Sequence, residues 1–181
     1  GKLPTETKKV VICLDLDAEI IDEVISIRPD IVFTHHPFIY GSKFKVLKYD
    51  LDKKVLVDKL ENAGICVYSM HTNFDTGKGG MNDALAKKLL LKDVYAPEKD
   101  KMMRIGYLEN EMQIEEFSKY TIDKLSIGHG LLINSGSTTI KKVAIVGGGG
   151  SRSWRIAKEE NAFDIEDVAK TLNEKLIHRH P

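Results

Sequence analysis

Three short apolar runs, each ending in a polar turn and each followed by a helix-periodic stretch, constrain this chain more than any other feature. They cover residues 9–16, 31–34 and 65–71. After the first, Ile20, Ile21, Val24 and Ile27 fall on one face of a helix over 18–27, with Asp17 placed to cap it and Pro29-Asp30 to end it. After the second, residues 50–63 are amphipathic through Val55, Leu56, Leu60 and Ala63, and Gly64 is the stop. A glycine-rich turn, Gly77-Lys-Gly-Gly80, then leads into a helix over 81–91. Strands at regular spacing with helices between them are βαβ units, which require a mostly parallel sheet. The run 9–16 is apolar enough to be expected buried on both faces.

A second half opens near Met102. Residues 104–109, 131–133 and 141–146 read as strands. Residues 113–125 read as a helix with Phe117, Tyr120, Ile122 and Leu125 toward a core. Gly147-Gly-Gly-Gly150 leads into a helix from about Ser151. Ile165, Val168, Ala169, Leu172 and Leu176 share one face of a helix over 164–176. The expected organisation is an α/β lobe over 1–101, a second over 102–162, and an amphipathic helix within 163–181 that packs back on the core.

Charge narrows the partners. Lys+Arg and Asp+Glu are equal at 27 each, so no global field draws the chain to nucleic acid or anionic lipid. No apolar stretch approaches the ~20 residues of a spanning helix, and residues 1–9 carry no signal-peptide pattern. Cys13 and Cys66 lie inside apolar runs and read as buried free thiols, as suits a reducing cytoplasm.

The chemistry concentrates at two strand ends. His35 and His36 are adjacent, and adjacent side chains on a strand face opposite ways. They serve one site only if the strand stops there, and Pro37 is the stop. Ligands of open α/β sheets gather at the carboxyl ends of strands, and imidazole is a common ligand of zinc, iron, nickel and copper. The next strand end carries His71, Asn73 and Asp75, which share one parity of an extended stretch. Asp75 is a carboxylate able to bridge two cations. His71 fits a ligand, a partner to a ligand, or a proton carrier. Together the two polar strand ends point to a metal site.

Other motifs carry less. The run Gly147–Gly150 satisfies neither the dinucleotide nor the P-loop spacing, and fits a phosphate cradle or a tightly packed turn about equally. Lys78 and Arg152 are the anion contacts a cradle would use. His129, His178 and His180 read as surface residues, and Trp154 as a packing anchor.

Residues 30–40, Asp-Ile-Val-Phe-Thr-His-His-Pro-Phe-Ile-Tyr, followed by Val-Tyr-Ser-Met-His-Thr-Asn-Phe-Asp over 67–75, resemble the NIF-three-like family (NGG-one-interacting factor three). The spacing to Gly79-Gly-Met-Asn-Asp83 and the later Val143-Ala-Ile-Val-Gly-Gly-Gly-Gly-Ser151 match its pattern as well, so the resemblance runs from about Val10 to Ala162. It implies a two-lobed α/β fold with mixed sheets and flanking helices. It also implies a dinuclear centre of two divalent metal ions, with His35, His36 and Asp75 as ligands and His71 beside them as the catalytic proton carrier. Zinc, iron, manganese and nickel all suit such ligands. Members carry the name GTP cyclohydrolase I type 2, and the resemblance further implies metal-dependent hydrolysis of a purine nucleotide or a related phosphate-bearing heterocycle, and a homohexamer built as a trimer of dimers. The alternative function is a non-catalytic metal-containing module that binds a nucleotide, nucleic acid or protein partner.

The resemblance departs after Ala162. Members carry a further stretch with Gly-Asp, more histidines, and a closing His and Glu that complete the site. No such stretch reads here. Either the protein has this stretch outside these 181 residues, or it is deleted and the site has lost ligands. The tail over 164–176 resembles the family's opening helix as much as its closing one, and Glu166 is a weak substitute ligand.

Overall fold

The structure, a computed structural model, describes residues 1–133, 136 and 138–162. The chain forms two compact units, Gly1–Asn73 and Phe74–Pro181.

The first unit runs β1 (Val10–Cys13), α1 (Ile21–Ile27), β2 (Ile31–Thr34), α2 (Lys43–Tyr49), α3 (Leu51–Asn62) and β3 (Cys66–Ser69). The three strands form a parallel sheet in the order β1-β2-β3. Asp17 Oδ1 accepts the N–H groups of Glu19 and Ile20, which holds residues 18–20 as a turn and delays α1 to Ile21. Asp50 caps α3 by accepting Lys53 N–H at 2.8 Å. Leu16, Ile21, Val24, Val32, Leu60 and Ile65 make the core.

Two expectations change here. The strand β1 is not buried on both faces: Ile12 is 78% exposed, while Val11 and Cys13 pack on the core. β1 is an edge strand of this sheet, whereas the central strand β2 is buried at three of its four positions. Helix α2 was not expected, because no residue of it is buried and its sequence carries no core stripe.

The second unit follows α4 (Thr72–Thr76), inside which the boundary between the units falls. It contains α5 (Met81–Lys88), β4 (Lys92–Tyr95), β5 (Arg104–Gln113), α6 (Ile114–Leu125), β6 (Thr139–Ile145), a 3₁₀ turn at Gly150–Arg152 and α7 (Trp154–Glu159). Its sheet is antiparallel, in the order β4-β5-β6. Residues 74–101, grouped with the first lobe on sequence, pack with this unit because β4 pairs with β5 and Ala86 and Leu89 join its core. Residues 131–133 are irregular where a strand was expected. Leu131 and Leu132 are 69% and 41% exposed, and no ladder takes them in. The amphipathic segment 164–176 lies outside the described residues.

The glycine turn is explained by packing. A Cβ at Gly147 would come 3.2 Å from Asn82 Oδ1, and one at Gly150 would come 2.8 Å from Val146 Cβ. Gly148 has a φ of +72°, a conformation that favours glycine. Lys78 and Arg152 are both exposed.

Candidate metal centre

The strand end at Thr34 folds the way the adjacent histidines require. The backbone N–H groups of His35 and His36 both donate to the carbonyl of Leu14, at 3.2 and 3.0 Å. Two successive donors on one acceptor mean that the alternating ladder has stopped. The two rings therefore lie side by side, with centroids 5.2 Å apart. A relay of hydroxyls pins the turn: Phe38 N–H donates to Ser69 Oγ, Ser69 Oγ–H to Thr34 Oγ1, and Thr34 Oγ1–H to the carbonyl of His36. Thr34 is 1% exposed, so the relay is shielded from water.

Hydrogen bonds also set the ring tautomers. His35 Nδ1 lies 3.1 Å from the carbonyl of Met70, and a carbonyl only accepts. In the neutral ring, the form that binds a metal, Nδ1 therefore carries the proton and Nε2 the lone pair. His36 Nδ1 lies 2.8 Å from Asp15 Oδ1, with the same consequence. A histidine held through one nitrogen by a carbonyl or carboxylate is the arrangement in which the other nitrogen binds a metal.

His71 and Asp75 come together differently from the extended stretch expected. Residues 72–76 are the helix α4, so the pair is related by one helical turn rather than by strand parity. His35, His71 and Asp75 each offer one ligand atom, and the three atoms lie within 4.8 Å of one another. Asp75 is 7% exposed. His36 stands just outside this trio, its ring centroid 5.9 Å from that of His71. The structure thus gathers His71 into the cluster with His35 and Asp75, and leaves His36 at its flank in the hold of Asp15.

Asp15, Thr34 and Ser69 were not singled out from the sequence. The signal was there in outline, since each lies within two residues of a strand's carboxyl end. Cys13 leads into the same loop. Burial pushes its thiol pKa up, and Asp15 and Asp17 add to the shift, so it stays protonated at neutral pH. His129 is exposed, and His178 and His180 lie outside the described residues.

The sequence profile of the family Duf34/NIF3 (NGG1p interacting factor 3) matches residues 1–165. The chain belongs to this family. Two relatives of the Duf34/NIF3 chain, both named GTP cyclohydrolase 1 type 2 homolog, illustrate the range of similarity. One from Listeria innocua is 38% identical over 93 residues, 51% of this chain and 25% of the relative. One from Lactococcus lactis is 27% identical over 170 residues, 90% of this chain and 64% of the relative. The chain thus spans less than two thirds of these relatives' length. Among solved structures, a Staphylococcus aureus protein superposes with a TM-score of 0.75 at 21% identity, covering 97% of this chain and 74% of that one. Reduced HcgD from Methanocaldococcus jannaschii gives 0.69 at 26% identity, with 97% and 71% covered. The NIF3-like fold expected from the sequence is thereby established. Residues 153–181 also match the profile of the MazG nucleotide pyrophosphohydrolase domain. No helix among the described residues is long and apolar enough to cross a membrane.

Proposed function

We propose that this chain is a metal-dependent hydrolase of a purine nucleotide, of the kind named by its GTP cyclohydrolase 1 type 2 relatives. The observation that carries the reading is the convergence of His35, His71 and Asp75 at the carboxyl ends of parallel strands. The donor set fits a divalent cation. Two imidazoles and one carboxylate suit zinc, iron, manganese or nickel, and three protein donors leave a position for water or substrate. We assign His36 to a second ion of a dinuclear centre, since its Nε2 bears a lone pair and its ring lies beside both cluster histidines. When bound, such ions supply a Lewis acid and a hydroxide at neutral pH, which opening a purine ring at the carbon between two nitrogens requires. The chain's own part is to hold the donors. Met70 and Asp15 orient the imidazoles, and the buried Asp75 contributes the negative charge that offsets the cations.

The test starts with elemental analysis of protein purified without chelator or added metal, followed by incubation of the metal-loaded protein with GTP. The expected result is about two ions per chain and loss of the purine absorbance. Metal-loaded protein that leaves GTP intact but binds DNA in a salt-sensitive way would instead support the non-catalytic binding module.

Assembly as a homohexamer is proposed on the family resemblance. Ile12, Leu14, Phe44 and Tyr49 of the first unit, all exposed, supply apolar surface for it. Light scattering should return the mass of a hexamer of 20.3 kDa chains, and a monomer mass would refute the assignment.

A further inference from the structure

The helix α4 has five residues. A single helical turn is marginal by itself, because nucleation is costly and its last carbonyls have no partner within the helix. Yet this turn is what brings Asp75 to His71. Two buried side chains meet its carbonyl end. Asn82, 0% exposed, donates from Nδ2 to the Asp75 carbonyl at 3.1 Å. Arg104, 4% exposed, donates from Nη2 to the carbonyls of Thr76 and Gly77, at 3.1 and 3.3 Å.

Both side chains are themselves locked. Asn82 Oδ1 accepts Gly147 N–H at 2.7 Å. Arg104 Nε donates to Asp83 Oδ1, and its Nη1 donates to the carbonyls of Lys101 and Met103. Asp83 Oδ2 accepts Gly79 N–H at 2.5 Å. The backbone is pressed close as well, since a Cβ at Gly80 would lie 1.7 Å from the Phe74 carbonyl. A buried guanidinium normally seeks carboxylates. This one spends four of its five hydrogen bonds on backbone carbonyls, two of them at the end of α4.

We infer that Asn82 and Arg104 are positioning residues of the metal site, which cap the carbonyl end of α4 and keep wound the one turn that pairs Asp75 with His71. The inference rests on the metal reading above. It differs from a general stabilising role in a measurable way, because loosening the turn weakens metal binding in protein that is still folded.

The experiment is a Co²⁺ titration of the full chain, followed by affinity and by the visible spectrum of the bound ion. Asn82→Ala should bind Co²⁺ about 10–100-fold more weakly, the range typical of residues that orient ligands. Val143→Ala, a truncation in the core of the same unit, is the control for lost stability. It should bind within about twofold of wild type, because it packs with Ala86, Leu89, Leu91 and Leu108 rather than among the groups that hold the ligand turn. Arg104→Lys keeps a cation beside Asp83 but cannot fork onto the Thr76 and Gly77 carbonyls, and should weaken binding about tenfold. This variant decides the matter if Asn82→Ala does not fold. Wild-type affinity and spectrum in the folded variants would overturn the inference while leaving the metal site standing. So would equal weakening in Val143→Ala, which would reduce the effect to stability. A wild-type protein that takes up no Co²⁺ would refute the metal reading itself, and the positioning role with it.

Discussion

Asp75→Ala is expected to weaken divalent-metal binding by about 100-fold or more, above the range seen for residues that only orient ligands, and to abolish the proposed turnover of GTP. Asp75 is the one anionic donor in the trio and is 7% exposed. Its removal leaves two neutral imidazoles to hold a doubly charged ion, with little water to share the charge. His35→Ala is expected to act almost as strongly, because His35 is held by the Met70 carbonyl with Nε2 as its acceptor nitrogen. His36→Ala should cost less, removing the second ion while the His35, His71 and Asp75 trio keeps the first, since His36 stands at the flank of the trio and is half exposed. Competition against a chromophoric chelator reads all three. Full metal content in Asp75→Ala would sink the assignment. A loss in His36→Ala as large as in His35→Ala would show that the two adjacent histidines hold metal equally.

What the sequence could reveal of this site depended on whether the deciding interaction was local. Pro37 announces that the strand ends at His35-His36, and the shared Leu14 acceptor is the physical form of that stop. The pairing of His71 with Asp75 was legible, but for the wrong reason. Spacings of two and four both fit strand parity, whereas the chain winds a helical turn in which only the spacing of four brings side chains together. The apolar run at 9–16 was misread because composition does not reveal strand order, and order alone makes β1 an edge. Asp15 looks like any loop acid until the fold sets it 2.8 Å from His36, 21 residues on. The Gly147–Gly150 turn looked like a phosphate cradle as much as a packed turn. It resolves once Asn82, 65 residues earlier, is seen to occupy the space a side chain at Gly147 would need. Long-range polar contacts of this kind leave no periodicity for a sequence to show.

Arg104 provides the largest expected effect on stability. Its side chain is 5% exposed, and its carboxylate partner among the described residues is Asp83, 29% exposed. Arg104→Met should destabilise the protein by about 3 kcal/mol, the low end for breaking a buried pair, because Asp83 keeps some contact with water. Asp83→Asn should have a pH signature. The Arg104 hydrogen bond, then the Gly79 N–H, hold the Asp83 carboxyl below its ordinary range. A carboxylate depressed in the folded state contributes its full stability above its unfolded pKa of about 4, and loses it as pH falls through the folded value. Wild type and Asp83→Asn should therefore differ most at neutral pH and draw together below about pH 4. There the wild-type carboxyl takes up its proton and leaves Arg104 in both proteins facing a neutral partner. Urea unfolding of both across this range measures the gap directly. A gap that stays constant down to low pH would mean that Asp83 acts through shape and hydrogen bonding rather than through its charge. The guanidinium would then be held chiefly by the carbonyls of Lys101, Met103, Thr76 and Gly77.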